Sequence, residues 1–224
     1  MDFFNAFALK RYNSDVMFED RVKAAETLCL KLPKFTDKKN TFVVGLTRGG
    51  VVTAKVISDY LNLKLKALII KKIGVPWNEE LAIGAMTSAN DVFWNESLCK
   101  ELAVSKVQKR NLVLEKEKEL KKLANLLKLQ TKEDEFNKKN IILVDDGVAT
   151  GISAITAAKT LRKNGAKTVI LATPVIASDT LTSIKKYFDK VIFIKQSQDF
   201  YSVSQFYNNF EQISDKKVAK ILKL

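Results

Sequence analysis

Two adjacent acids, Asp145 and Asp146, close the apolar run NIILV and are followed at once by small residues and hydroxyls in DDGVATGIS, residues 145–153. Carboxylates crowded at a strand end are unfavourable unless something binds them. The residues that follow say what could bind. Gly147 and Gly151 allow close approach to the backbone, and Ala149, Thr150, Ile152 and Ser153 present amides at the start of a helical segment, whose N-terminus attracts phosphate. Thr150 and Ser153 add hydroxyl donors, and two carboxylates can accept hydrogen bonds from a pair of neighbouring hydroxyls such as a ribose diol. Phosphate and diol together describe a ribose phosphate. The bland alternative is that Asp-Asp-Gly makes only a turn and a helix N-cap.

A second loop, GLTRGGV at residues 45–51, pairs Thr47 and Arg48 with Gly49 and Gly50 at the end of an earlier apolar run. Its amides and guanidinium suit a second anion, although the two glycines would also serve a tight strand-to-helix turn. The chain has no histidine, which removes the commonest general base and the Ser-His-Asp and Cys-His triads. Chemistry here must use carboxylates, lysines, backbone amides or an oxygen-held metal. Cys29 and Cys99 lie far apart and cannot complete a four-ligand zinc site without histidine, so a reducing compartment is expected.

These loops need elements to position them. The runs TFVVGL, LKALIIKKI, NIILVDD, TVILATPV and KVIFIK are short, β-branched and nearly continuous, the pattern of strands buried on both faces of a parallel sheet. Helical segments GVVTAKVISDYLN and GISAITAAKTLRKNG alternate with them, the second with Gly165 at its C-cap. This predicts an open α/β fold with a mainly parallel twisted sheet and helices on both faces. An opening amphipathic helix is expected from Phe18 through Leu32, ending before Pro33.

One domain over 1–224 is expected, with an α/β core at 41–195. Within it, the Lys/Glu-rich stretch 95–139 reads as a helical insertion, with Leu98, Leu102, Leu120, Leu123 and Leu127 in period. The aromatic tail at 196–224, joined by 1–35, would form a hood over the sheet ends, with SDKK capping a last helix. The net charge of +13 comes from 38 Lys and Arg against 25 Asp and Glu. Most of that excess is lysine scattered among acids, a solvated face rather than a nucleic-acid groove. The N-terminus reverses the charge order of a secretory signal, and no apolar run reaches membrane-spanning length, so a cytoplasmic location with no membrane partner is expected.

IILVDDGVATGIS resembles the signature with which type I phosphoribosyltransferases bind phosphoribosyl pyrophosphate (PRPP), with LTRGG at the place of their pyrophosphate loop. LIIKKIGVPWNEELAIGAM, ATPVIASDT and the tail resemble a bacterial branch of that superfamily, so the likeness covers most of the chain. It implies phosphoribosyl transfer from PRPP to a nitrogenous acceptor such as a nucleobase, with pyrophosphate released, as in nucleotide salvage. Asp145 and Asp146 would hold the ribose hydroxyls. The 5-phosphate would sit on 147–153, with Gly147, Ala149, Thr150, Gly151, Ile152 and Ser153 as contacts. Thr47, Arg48, Gly49, Gly50, Lys71 and Lys72 would hold the pyrophosphate, often through a non-proline cis peptide in that loop. Arg48, Lys72 and Asp146 would be catalytic, and Mg2+ would arrive on PRPP's own oxygens, near Asp145 and Asp146, rather than in a protein cage.

Under the same resemblance Trp77, Asn78, Glu79 and Glu80 belong to a flexible lid, though Trp77 would also be ordinary as an exposed aromatic. Phe200 and Tyr201 are candidates to stack on the acceptor ring, although such an aromatic stripe more often anchors a tail to the core. Where the family's 6-oxopurine enzymes usually carry an acid, this chain has Ala149, which argues against hypoxanthine or guanine. Gly147 replaces a usual aliphatic residue. Homodimers are usual in the family. The competing reading is a regulatory module that binds PRPP, nucleotide or RNA without efficient turnover.

Overall fold

Consecutive apolar residues in a strand are stable only when both sheet faces are covered, and the chain delivers helices to both sides. The structure, a computed structural model, describes residues 18–33, 37–129 and 135–223. In chain order the elements are α1 (Arg21–Cys29), β1 (Thr41–Leu46), α2 (Gly49–Leu61), β2 (Lys64–Leu68), β3 (Ile70–Val75), β4 (Asn78–Thr87), β5 (Val92–Trp94), α3 (Glu96–Glu101) and α4 (Lys106–Leu126). They continue with β6 (Asn140–Val144), α5 (Ile152–Lys163), β7 (Thr168–Ala177), α6 (Ser178–Ile184), β8 (Lys190–Ser197) and α7 (Asp215–Leu222).

The main sheet has the order β2-β1-β6-β7-β8, with every neighbouring pair parallel. This is the expected open, mainly parallel α/β architecture. Phe42, Val44, Leu46, Ile141 and Leu143 pack on α5 residues Ile155 and Leu161 on one face. Val43, Ile142 and Val144 meet Leu28 of α1 and Ala54 and Ile57 of α2 on the other. The chain leaves β1 toward β2 on one side and leaves β6 toward β7 and β8 on the other. The strand order therefore reverses between β1 and β6, which pair in register from Thr41↔Asn140 to Gly45↔Val144. Ligands in open α/β sheets bind at such a switch point, beyond the carboxyl ends of the strands.

Three details depart from the sequence reading. LKALIIKKI is two strands: β2 ends at Leu68, and β3 starts a separate antiparallel sheet, β3-β4-β5. No Gly or Pro marks the change, and a continuous apolar run looks alike in either sheet. The opening helix begins at Arg21, after the N-cap Asp20, whose side chain accepts from the Lys23 amide at 2.9 Å. Phe18 instead pairs with the tail in a parallel bridge to Tyr207, so its apolar spacing reflects tail packing rather than helix.

In the 95–139 stretch α3 and α4 form as helices. A Ser105–Gln108 capping box starts α4, and Leu120, Leu123 and Leu127 are buried. Residues 130–134 of this stretch lie outside the described residues, as do 1–17 and 34–36 of the N-terminal part of the hood. The last helix, α7, is capped by Ser214, which accepts from the Lys217 amide. Among the described residues no helix is long and apolar enough to cross a membrane. Cys29 and Cys99 are both free and buried, and burial pushes the Cys29 thiol up to about 11.

Candidate functional site

The loops after β1 and β6 lie side by side because their strands pair. Thr47 is tied to the start of the second sheet: its amide donates to the Leu68 carbonyl at 3.2 Å, and its hydroxyl accepts from the Ile70 amide at 3.3 Å. The Thr47–Arg48 peptide is cis. Gly49 and Gly50 then open α2, whose first amides have no intrahelical acceptor. The glycines are there for space. A Cβ on Gly49 would lie 1.8 Å from Asp146 Oδ2, and one on Gly50 would lie 2.6 Å from the Val144 carbonyl oxygen. Neither has positive φ, so it is space rather than a left-handed backbone that calls for glycine here.

Asp146 is held from several directions. Its Oδ2 accepts from Arg21 Nε at 2.6 Å, and its carbonyl accepts from the Tyr207 hydroxyl at 2.5 Å. Its amide donates to Asp145 Oδ1 at 3.0 Å. Arg21 is 7% exposed, and its Nη1 donates to the Glu211 carbonyl at 2.9 Å. Burial, and after it the charge of Asp146, hold the Asp145 carboxyl well above the usual carboxylate range, against the pull of the Asp146 amide and the Lys72 charge. Burial likewise raises the Tyr207 phenol, reinforced by the Asp146 charge.

The next turn is anchored to β7. The Val148 amide donates to Val175 at 2.9 Å, and the Val148 carbonyl accepts from Ala177 at 3.0 Å. The Ala149 carbonyl accepts from the Thr180 hydroxyl. Gly151 takes φ of 73° as the N-cap of α5, and a side chain there would strike Ile184 and Thr180. Ile152 is buried, Ala149 and Ser153 are partly exposed and Thr150 is exposed. The amides of 149–153 make no hydrogen bond to any other described residue, so this helix N-terminus presents a row of free donors. Gly147 is explained by the tail: its missing Cβ would lie 2.4 Å from Val203 Cγ1.

A cavity of about 620 Å³ opens beside these loops, lined by Arg21, Thr47, Arg48, Gly49, Lys71 and Lys72. Its apolar wall includes Leu123 of α4 and Phe210 and Ile213 of the tail. Of the two lysines, Lys71 is ion-paired to Glu119 of α4, whereas Lys72 is exposed and acts on Asp145 through its charge. Arg48 Nε donates to Asp215 Oδ1 at 2.6 Å, joining the β1 loop to α7.

Trp77, 59% exposed, sits at the turn between β3 and β4, and Asn78 and Glu79 begin β4; the side chain of Glu80 lies outside the described set. Trp77, Asn78 and Glu79 do not line the cavity. Neither do the acceptor candidates Phe200 and Tyr201: Phe200 packs on Phe206 with ring centroids 5.0 Å apart, and Tyr201 is 87% exposed. Phe200 is taken up by packing in the tail and Tyr201 by solvent, so neither faces the cavity. Phe210 stands at the wall instead. Sequence reading also missed Arg21 and Asp215. A lone Arg in a helix's first turn and an Asp after a capping Ser carry no local signal of a partner far away in sequence.

The strand order reverses between β1 and β6, and the loops that carry Arg48, Gly49 and Gly50 and Asp145 and Asp146 meet at that switch point, beyond the strand ends. The pattern describing the phosphoribosyl transferase domain matches residues 19–211, and the chain belongs to that family, within the type I superfamily. It is 31% identical over 211 residues to a provisionally named phosphoribosyl transferase found in two strains of Mycobacterium tuberculosis, CDC 1551 / Oshkosh and H37Rv. That match takes in 92% of this chain and 46% of each relative, so the chain spans about half the length of the curated relatives it matches. The crystal structure of TT1426 from Thermus thermophilus is 27% identical, with a TM-score of 0.75 over 92% of this chain and 98% of that one.

Proposed function

We propose that the protein transfers a phosphoribosyl group from PRPP to a nitrogenous acceptor, a nucleobase or related ring, and releases pyrophosphate. Asp145 and Asp146 accept the ribose hydroxyls, the free amides of 149–153 with Thr150 and Ser153 hold the 5-phosphate, and Thr47 to Gly50 with Lys72 hold the pyrophosphate. Lys71 contributes only when it leaves Glu119. The acceptor enters against Phe210, Ile213 and Leu123, and the β3–β4 turn carrying Trp77 is the segment placed to close.

The reaction is displacement at the anomeric carbon: a C–N bond forms as the C–O bond to pyrophosphate breaks, with inversion. Charge develops on the leaving group and on an oxocarbenium-like ring, so fixed cations and positioned acceptors carry more of the effect than a strong base. That suits a chain without histidine. Among the described residues no three or more His, Cys, Asp or Glu side chains form a metal cluster. A magnesium ion there would be held mainly by pyrophosphate and water, with Asp145 and Asp146 as the carboxylates beside the diol. Bound there it would neutralise the leaving group's charge.

The observation that carries the reading is the contact between the two loops, where Gly49 lies against Asp146 so closely that no side chain fits. Diol acceptors and pyrophosphate donors are thereby adjacent, as the two ends of one PRPP bond require. Titration calorimetry with PRPP and magnesium tests it on wild type and on Asp145→Asn/Asp146→Asn. About a 100-fold loss of affinity is expected in the double variant. Failure of wild type to bind, or equal binding by the variant, sinks the proposal. Binding without pyrophosphate release across a panel of bases would leave a PRPP-sensing module in its place.

A further inference from the structure

Arg21 belongs to neither loop, yet its guanidinium touches three parts of the site. Nε donates to Asp146 Oδ2 at 2.6 Å, and Nη1 donates to the Glu211 carbonyl at 2.9 Å. Its Cζ lies 3.7 Å from the centroid of Phe210, a cavity-wall ring. The same Nε lies 2.9 Å from where a Gly49 Cβ would be. The residue comes from the first turn of α1, fixed by the Asp20 cap and packed through Leu28 on the sheet. Such a contact set needs a planar cation with donors on two edges and a face for stacking. Lysine offers one ammonium on a flexible stem.

We infer that Arg21 is a positioning residue: it takes Oδ2 of Asp146, turns Oδ1 toward the sugar hydroxyl, and ties that carboxylate to the tail wall at Phe210 and Glu211. The ribose anchor and the acceptor side of the cavity thus keep a fixed spacing through one side chain. This rests on the reading of Asp146 as a diol acceptor. It adds a residue outside the two signature loops, and a reason for the opening helix to pack where it does.

The test is a double-mutant cycle on ribose 5-phosphate affinity, using wild type, Arg21→Lys, Asp146→Asn and the pair, each checked for cooperative thermal unfolding. Arg21→Lys keeps the charge and the stem, because removing the side chain outright endangers the fold. If Arg21 acts through Asp146, Arg21→Lys weakens ribose 5-phosphate by about 10–100-fold and leaves pyrophosphate affinity near wild type. The double variant then binds no worse than Asp146→Asn alone, the non-additivity expected of coupled residues. Additive losses, an unchanged Arg21→Lys, or parallel losses for both ligands would show that Arg21 only supports the fold. If wild type itself binds neither PRPP nor ribose 5-phosphate, the functional reading fails first and this inference fails with it. A folded wild type that binds while Arg21→Lys behaves normally overturns the inference alone.

Discussion

The two loops that meet between β1 and β6 hold their charged groups differently. After β6, Asp146 is clamped by an arginine whose side chain is 8% exposed, its own being 13% exposed. After β1, Arg48 is 40% exposed and pairs with an Asp215 that is 25% exposed. Breaking a buried pair by removing one partner costs about 3–5 kcal/mol. An exposed pair is worth only about 0–1 kcal/mol. Asp146 is therefore preset before any ligand arrives, whereas Arg48 holds an internal carboxylate that an incoming anion can displace at little cost.

Substitutions can break this contrast, and the largest effect belongs to the clamp. Arg21→Met is expected to lower unfolding stability by about 3–5 kcal/mol, because it leaves the Asp146 charge buried without a partner. Urea denaturation measures this, and a loss below about 1 kcal/mol would make the two loops equivalent. Next in size, Arg48→Ala should weaken pyrophosphate by about 10–100-fold, the worth of a charged hydrogen-bonding group. Ribose 5-phosphate should be affected far less, and calorimetric titration of each ligand separates the cases; equal losses would dissolve the distinction between the loops.

A smaller effect concerns Asp145, whose carboxyl lies above the ordinary range because of burial and the Asp146 charge. The native state then holds a proton that the unfolded chain has already lost. Stability from this group is accordingly present below the usual carboxylate pKa and falls as pH rises through the elevated one. Asp145→Asn should stabilise the fold at neutral pH by about 1 kcal/mol, visible as a rise of about 2–4 °C in Tm, and should flatten that pH dependence. Smallest of all, Asp215→Asn should change stability by under about 1 kcal/mol while tightening pyrophosphate a few-fold. Weaker pyrophosphate binding would mean that Asp215 aims Arg48 rather than competing for it.

Much of this arrangement is legible in the chain. Continuous β-branched runs announce the parallel sheet, and the two glycine-containing turns announce the strand-to-helix loops that meet at the switch point, because strand burial and helix starts are local properties. What escapes is long-range pairing. Nothing near Phe18 says that it bridges to Tyr207, and nothing near Ile69 says that the chain changes sheets there. The tail shows the same division: its aromatic density and the Ser214 cap are readable, but that Phe210 rather than Phe200 faces the cavity depends on tertiary packing. Helix α4 reads as an insertion by its charge and period, yet Leu123 reaches the cavity wall, which periodicity cannot specify.

The meeting of Gly147 with Val203 carries a wider consequence. The space beside Gly147 is filled by Val203 of the tail, so loop and tail are cut to each other like two halves of a mould. Giving the loop an aliphatic residue at 147 without trimming Val203 would overfill the joint, and trimming Val203 alone would leave a hole beside Gly147. Either part can be exchanged for a relative's only as a matched set.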